Sequence, residues 1–285
     1  MPARAFVPGH VTGLFSVHPD DDPRVAGSRG AGLALSDGVT VTVEEGEETT
    51  VTLNGQHAPM DAVEGVLSRL DTTARVTCET PLPVSAGFGV SGACALGTAL
   101  ASDSLSPGHT ENELVALAHA AEVEAGTGLG DVVGQARGGM PIRLEPGAPP
   151  HGRMDGLAAR PEVEYLTYGG LDTAEVIGGD TETLSRAGER AMEALLDSPT
   201  LATFMDASRT FAREAGLPTD RVERTIEDVQ EEGGEAAMAM LGQTVFALDS
   251  GLSDAGYDAR SCRVTEGASV VEYAPGSGRT LGRDR

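Results

Sequence analysis

The stretch Pro83-Val-Ser-Ala-Gly87-Phe-Gly89-Val-Ser91-Gly92-Ala93 sets three glycines between a strand-like run, residues 74–79, and an Ala/Leu-rich segment that reads as a helix opening near Ser91. Glycine admits backbone angles closed to other residues and removes side-chain bulk, so backbone N–H groups in such a loop can close on an anion. The helix adds its own free N–H groups and the positive end of its dipole. Phosphate is the first ligand to consider; a tight turn that packs a helix on a strand is the plain alternative. Asp131 follows a second glycine-rich run, Gly126-Thr-Gly128-Leu-Gly130. A carboxylate there can accept a proton from a substrate hydroxyl, help hold a metal near phosphates, or cap the next element. Glu122 offers an oxygen ligand for Mg²⁺ or a solvated helix face. The Ser91 hydroxyl can reach a phosphate-bound metal, or simply cap its helix. Arg29, in the glycine-rich segment 27–32, carries the planar fork of donors that grips a carboxylate, or is a surface arginine. His10 and His18 can position phosphate or substrate, or be satisfied loop histidines.

These residues must be held by elements that the rest of the chain supplies. Residues 4–17 are apolar and broken by Pro8, Gly9 and Gly13, which predicts an edge strand and a turn. Residues 19–24 read as a polar loop, and 27–32 as too glycine-rich for regular structure. Alternation predicts strands at 32–35, 39–44 and 49–53, the last two forming a hairpin. The spacing of Ala62, Val63, Val66, Leu67 and Leu70 predicts a helix over 60–70. Thr110-Glu-Asn-Glu113 has the form of a capping box and opens a helix to about residue 124, which six glycines between 126 and 139 then break. A strand at 140–144 and a Pro/Gly-rich linker at 145–160 complete a first α+β lobe, residues 1–150. The second lobe, 151–285, is read from strands at 162–168 and 173–177, helices at 181–196, 200–215 and 219–231, and strands at 244–248, 259–264 and 269–273. A frayed tail is expected from about 275.

Charge narrows the partners. Asp and Glu number 44 against 20 basic residues, all of them arginine, for a formal net charge of −24. Such a chain repels nucleic acid and anionic membrane. The acids are scattered through foldable segments, as in proteins of extreme halophiles, where salt screens self-repulsion within a few ångströms. With no apolar run long enough for a bilayer and no secretory pattern at the N-terminus, a cytoplasmic protein is expected. Cys78, Cys94 and Cys262 fit neither a disulfide framework nor a zinc site, and read as small buried hydrophobes. The absence of lysine excludes a Walker lysine. There is also no dinucleotide fingerprint in a first βαβ unit and no Gly-x-Ser-x-Gly elbow.

Together these segments resemble the GHMP kinase superfamily. Its second motif, Pro, three residues, then Gly-Leu-Gly-Ser-Ser-Ala, is matched from Pro83 to Ala93 with Phe88 for Leu, Val90 for the first Ser and Gly92 for Ala. The first motif is echoed by Pro8-Gly9-His10, with His10 for the usual Lys, and by Phe15-Ser-Val-His18. Asp131 falls where mevalonate kinases carry a catalytic aspartate, and Glu122 near their metal-binding glutamate. The third motif would be Ala239-Met-Leu-Gly242-Gln-Thr-Val-Phe-Ala-Leu, with most of its glycines lost. Within the superfamily the wording is similar to that of the archaeal pantoate kinases. The resemblance implies a two-lobed α+β fold, S5-like then ferredoxin-like, with the site in the cleft between lobes. It further implies ATP phosphates on Pro83, Gly87, Phe88, Gly89, Val90, Ser91, Gly92 and Ala93. Mg²⁺ would be held by Ser91 and Glu122, since Val90 has no hydroxyl, and Asp131 would orient or deprotonate the acceptor hydroxyl of pantoate. Arg29 would hold the pantoate carboxylate, with His10 and His18 nearby; a homodimer is allowed. The competing readings are a shikimate, homoserine or mevalonate kinase, and a catalytically silent metabolite sensor on the same scaffold.

Overall fold

Two long strands carry the larger part of the molecule. β1 (Ala3–His18) and β2 (Gly27–Glu45) pair antiparallel from Ala3 opposite Val43 to His18 opposite Gly27. The computed structural model describes residues 2–170 and 181–272. The segment 27–32, expected to be irregular, is the start of β2. β1 pairs it on one side, and β6 (Met140–Glu145) pairs Gly30 and Ala31 on the other. Hydrogen bonds on both sides hold an extended backbone that side chains alone would not specify. β1 is likewise not an edge strand at its start, where β12 (Ser269–Glu272) pairs Arg4, Ala5 and Phe6 on its outer side. Register shifts between Pro8 and Gly9 and between Thr12 and Leu14 absorb the expected turn as bends within one strand.

The expected hairpin of 39–44 with 49–53 does not form. β5 (Ala74–Glu79) lies between β2 and β3 (Thr50–Leu53), antiparallel to the first and parallel to the second. A parallel pair needs a crossover, and α1 (Asp61–Arg69) supplies it, burying Ala62, Val63, Val66 and Leu67. The order runs β12-β1-β2-β5-β3-β4, with β4 (Gln56–His57) at the edge and β6 leading on to β7 (Arg153–Leu157). Against this sheet lies α2 (Val90–Leu105), which is buried on nearly every side, as a helix without a polar face must be. It approaches closely: a Cβ at Gly97 would stand 2.4 Å from Val41 Cγ2. α3 (Glu111–Ala125) starts on the predicted capping box, with Thr110 and Glu113 each satisfying the other's backbone N–H. α4 (Asp131–Arg137) forms inside the run expected to be loop.

The chain leaves this sheet only after Leu157. β8 (Glu162–Gly170), β9 (Ala236–Ala239), β10 (Gly242–Leu248) and β11 (Arg260–Arg263) make a second, antiparallel sheet in the order β11-β8-β10-β9. Its helices are α5 (Glu182–Asp197), α6 (Leu201–Glu214), α7 (Asp220–Glu231) and the short α8 (Gly251–Asp254). The strand expected at 173–177 and the tail from 275 lie outside the described residues. The strand expected at 269–273 does not close the second lobe; over its described residues it is β12 of the first sheet. The lobes meet where the Met240 N–H donates to Thr12 O at 2.9 Å and where Phe15 packs edge-on to Phe211 at 5.5 Å.

Candidate active site

A cleft of about 560 Å³ opens where the glycine loop, the 126–130 run and the Met240-Leu241 segment converge. The loop turns through left-handed backbone at Gly87 (φ 87°) and Gly89 (φ 63°), conformations that glycine adopts without a steric penalty. Gly89 is the N-cap of α2 and offers no side chain to its first turn, whereas Thr110, Thr200 and Thr219 cap α3, α6 and α7 with their hydroxyls. The N–H groups at the start of α2, beside Val90 and Ser91 on the cleft wall, are therefore free for an anion. Phe88 contributes backbone only, since its ring is buried edge-on to Tyr165 at 4.8 Å. Of the other loop residues, Pro83, Gly92 and Ala93 do not line the cleft. From the second lobe, Thr244 Oγ1 donates to Ala86 O at 2.8 Å, and a Cβ at Gly242 would stand 2.2 Å from the same oxygen. The third motif thus braces the loop from behind.

Three ionisable groups of the cleft lie against the loop and the glycine run: Asp131 beside Gly89, Glu122 beside Gly92 and Gly128, and Arg143 beside Gly130. Glu122 is 1% exposed, and neither carboxylate oxygen has a hydrogen-bond partner among the described residues. Burial first, and the charge of Asp131 second, push its pKa well above the ordinary carboxylate range; the N–H groups of Gly92 and Val132 pull the other way without reaching hydrogen-bond geometry. The carboxylate fits between two glycines, since a Cβ at Gly92 would stand 2.8 Å from Glu122 Oε1 and one at Gly128 2.6 Å from the same oxygen. Asp131 opens α4 and accepts a hydrogen bond from His10 Nδ1 at 2.8 Å. Arg143, on β6, is 2% exposed, and its Nε and Nη1 have no partner among the described residues. Burial pulls its pKa from 12.5 down to about 10, while Asp131 acts to raise it.

The other expected ligands are elsewhere. Arg29 does not line the cleft: its Nη1 pairs with Glu189 of α5, and its Nε donates to Leu144 O at 2.9 Å. His18 belongs to the same cluster, with Nε2 3.1 Å from Glu189 Oε1, an atom that also accepts from Ser16 Oγ at 2.6 Å. His10 is fully buried beneath Asp131 and does not reach the cleft. Ser91 does, and its Oγ donates to Thr127 Oγ1 at 3.1 Å.

An orphaned carboxylate, a nearby hydroxyl and free helix N–H groups suit a divalent cation shared with phosphate oxygens. Among the described residues no group of three or more His, Cys, Asp or Glu could hold a metal alone. Mg²⁺ habitually takes one or two protein oxygens and completes its shell from phosphates and water.

Known proteins share this sequence and fold. The family model for the GHMP kinases N terminal domain matches residues 58–139. The chain is 32% identical to the pantoate kinase of Methanocaldococcus jannaschii over 85% of its own length and 91% of that protein's. It is 36% identical to the pantoate kinase of Thermococcus kodakarensis, over 86% of this chain and 87% of the relative. The chain belongs to the pantoate kinase family of GHMP kinases. A solved structure described as a phosphotransferase related to the CoA biosynthesis pathway superposes with a TM-score of 0.84 at 30% identity, covering 99% of this chain and 100% of that one. Mevalonate-3-kinase from Thermoplasma acidophilum, with mevalonate 3-phosphate and ADP bound, shares the fold at a TM-score of 0.69 and 14% identity, over 96% and 99% of the two chains.

In this pantoate kinase family member, Arg143 is the charged group that sequence reasoning missed. A signal was present: Met140-Pro-Ile-Arg143-Leu sets one arginine in an apolar run, and arginine is almost never fully buried unless paired. Ser28, whose Oγ donates to Leu129 O at 3.3 Å, also lines the cleft from within a segment noticed only for Arg29. No helix among the described residues is long and apolar enough to cross a membrane.

Proposed function

We propose that this protein transfers the γ-phosphoryl group of ATP to the primary hydroxyl of pantoate, giving 4-phosphopantoate and ADP on the route to coenzyme A. The observation that carries the reading is the pairing of a buried guanidinium, Arg143, with an accessible carboxylate, Asp131, in one cleft that ends at a free helix N-terminus. A buried cation with two donors unsatisfied among the described residues, and only Asp131 acting on it as an opposite charge, is costly, and a substrate carboxylate lowers that cost. Pantoate carries both a carboxylate and a hydroxyl acceptor; Arg143 takes the first and Asp131 the second.

Asp131 Oδ1 is held by His10, which leaves Oδ2 to accept the hydroxyl proton as the oxygen attacks phosphorus and the bond to ADP breaks. The loop 87–91 and the start of α2 hold the transferred charge, so positioning and electrostatic stabilisation supply most of the rate. Ser91 and Glu122 are the residues that would hold Mg²⁺, which when bound neutralises phosphate charge. The acidic, lysine-free composition supports work at high salt in an archaeal cytoplasm.

The test is ADP release measured in concentrated KCl with pantoate, shikimate, mevalonate and homoserine. Pantoate should be turned over far faster than the others, and Asp131→Asn should lose turnover while still binding nucleotide. No turnover of pantoate by the wild type refutes the reading, and near-normal turnover by Asp131→Asn removes the role of that residue.

A further inference from the structure

The usual first-motif lysine of the superfamily is His10 here, and its surroundings define a task that the proposed reaction leaves open. The ring is 0% exposed, and its Nδ1 lies 2.8 Å from Asp131 Oδ1, a residue 121 positions away in the chain. Nε2 is buried with no partner among the described residues. Two glycines close over that edge of the ring: a Cβ at Gly32 or at Gly134 would stand 2.7 Å from Nε2. The backbone of the same residue reaches the phosphate loop, where the His10 N–H donates to Phe88 O at 3.0 Å. Thr12 Oγ1 is 3.5 Å from Nδ1, and the charge of Arg143 acts on the ring.

With Nε2 bare between two glycines and Nδ1 against a carboxylate, the ring that fits is neutral, with its proton on Nδ1. A neutral donor can fix the direction of Asp131 without cancelling its negative charge. Gly134 is explained by the same packing. It lies inside α4, where alanine would ordinarily favour the helix by about 1 kcal/mol, yet a methyl there meets the ring.

We infer that His10 is a positioning residue that locks the Asp131 carboxylate to the phosphate loop, its ring orienting the proton acceptor and its backbone the phosphate cradle. The inference rests on the proposed kinase reading and deepens it. His10 touches neither substrate, so its effect falls on kcat and not on KM.

Four variants test it with ATP and pantoate in concentrated KCl: His10→Ala, His10→Asn, Gly134→Ala, and Gly134→Ala combined with His10→Asn. A misplaced catalytic group is worth roughly a hundredfold in rate. His10→Ala should therefore lower kcat about 30- to 100-fold with both KM values within about threefold. His10→Asn keeps an N–H near the Nδ1 position and should recover kcat to within about fivefold of wild type. Gly134→Ala should lower kcat about tenfold by pushing the ring, and adding His10→Asn should lift it back to the level of His10→Asn alone, because the smaller side chain relieves the collision. A substrate-binding role would instead raise the pantoate KM at unchanged kcat. That outcome, a failure of asparagine to rescue, or independent effects in the double variant each overturn the inference. The ¹⁵N spectrum of the folded wild type gives a readout separate from activity: His10 should show the neutral tautomer protonated on Nδ1, and a proton on Nε2 refutes the pairing. If the wild type does not turn over pantoate, the kinase reading falls while this spectrum still decides the fate of the His10–Asp131 lock.

Discussion

Replacing Arg143 with methionine separates the cost of the buried guanidinium from its use. Burial lowers its pKa from 12.5 to about 10. At about 1.4 kcal/mol per pH unit this corresponds to roughly 3 kcal/mol by which the ligand-free fold disfavours the charge. Methionine fills a similar volume without charge, so Arg143→Met should leave ligand-free stability equal to wild type or raise it by about 1–3 kcal/mol. Binding behaves in the opposite sense. Truncating one partner of a buried, hydrogen-bonded charge pair costs about 2–5 kcal/mol, so the pantoate KM should rise at least about thirtyfold. The ATP KM should move less than about threefold. The assays are urea unfolding in KCl for stability and coupled ADP release for kinetics, the latter repeated with a dimethyl diol that lacks the carboxylate. Wild type should use the diol poorly, and Arg143→Met should use it no worse than wild type does. A clear loss of stability, equal effects on both KM values, or an equal penalty on pantoate and diol would refute the reasoning.

Other outcomes follow from the same geometry. His10 and His119 are buried, and burial lowers both pKa values below 6.5. Folded protein keeps both neutral while the unfolded chain takes up protons, so their contribution to stability is intact above about pH 6.5 and is lost as pH falls below it, by at most about 1.4 kcal/mol per pH unit each. Glu122, raised by burial, acts in the opposite direction. The histidine contribution is therefore read as the difference between wild type and His119→Gln, whose stability should fall less steeply between pH 7 and pH 5.5; parallel curves would count against it. Arg29→Ala should lower stability by about 1 kcal/mol, the scale of a half-exposed ion pair, and leave the pantoate KM within about threefold, because its partner is Glu189 and not the substrate. A selective rise in the pantoate KM would return Arg29 to the substrate site. The −24 charge predicts that the thermal midpoint rises with KCl between 0.2 and 2 M, to be checked by calorimetry; a flat dependence would contradict the salt-adapted reading.

Much of the site was legible where one short run of residues carries both the conformation and the chemistry. Gly87 and Gly89 stand at positive φ where a loop must tighten, and the expected box at Thr110 and Glu113 opens α3 with both of its hydrogen bonds in place. Glu122 and Asp131 could be singled out because each sits at a glycine-rich helix end, and the cleft does bring them together. The expectations that failed concern pairing. Residues 49–53 looked like the second arm of a hairpin because adjacent strands usually pair, but α1 offered a crossover, and β5, with Val76 and Cys78 fully buried, took the inner position. The glycines of 27–32 looked like loop because nothing in their composition announces two neighbouring strands.

By itself, then, the sequence determined the local parts: a glycine loop opening a helix, a carboxylate on each side of the next glycine run, a family wording, and an acidic, lysine-free composition. Only the tertiary structure decided which charges meet. Arg29 and Arg143 are both arginines on strands of one sheet. Register turned Arg29 toward Glu189, 160 residues away, and left Arg143 buried at the cleft with Nε and Nη1 unbonded among the described residues. His10 found Asp131 across 121 residues for the same reason. Caps, turns and periodicity depend on neighbours within a few positions. The partner of a buried charge depends on strand register and sheet order, which the whole chain settles at once.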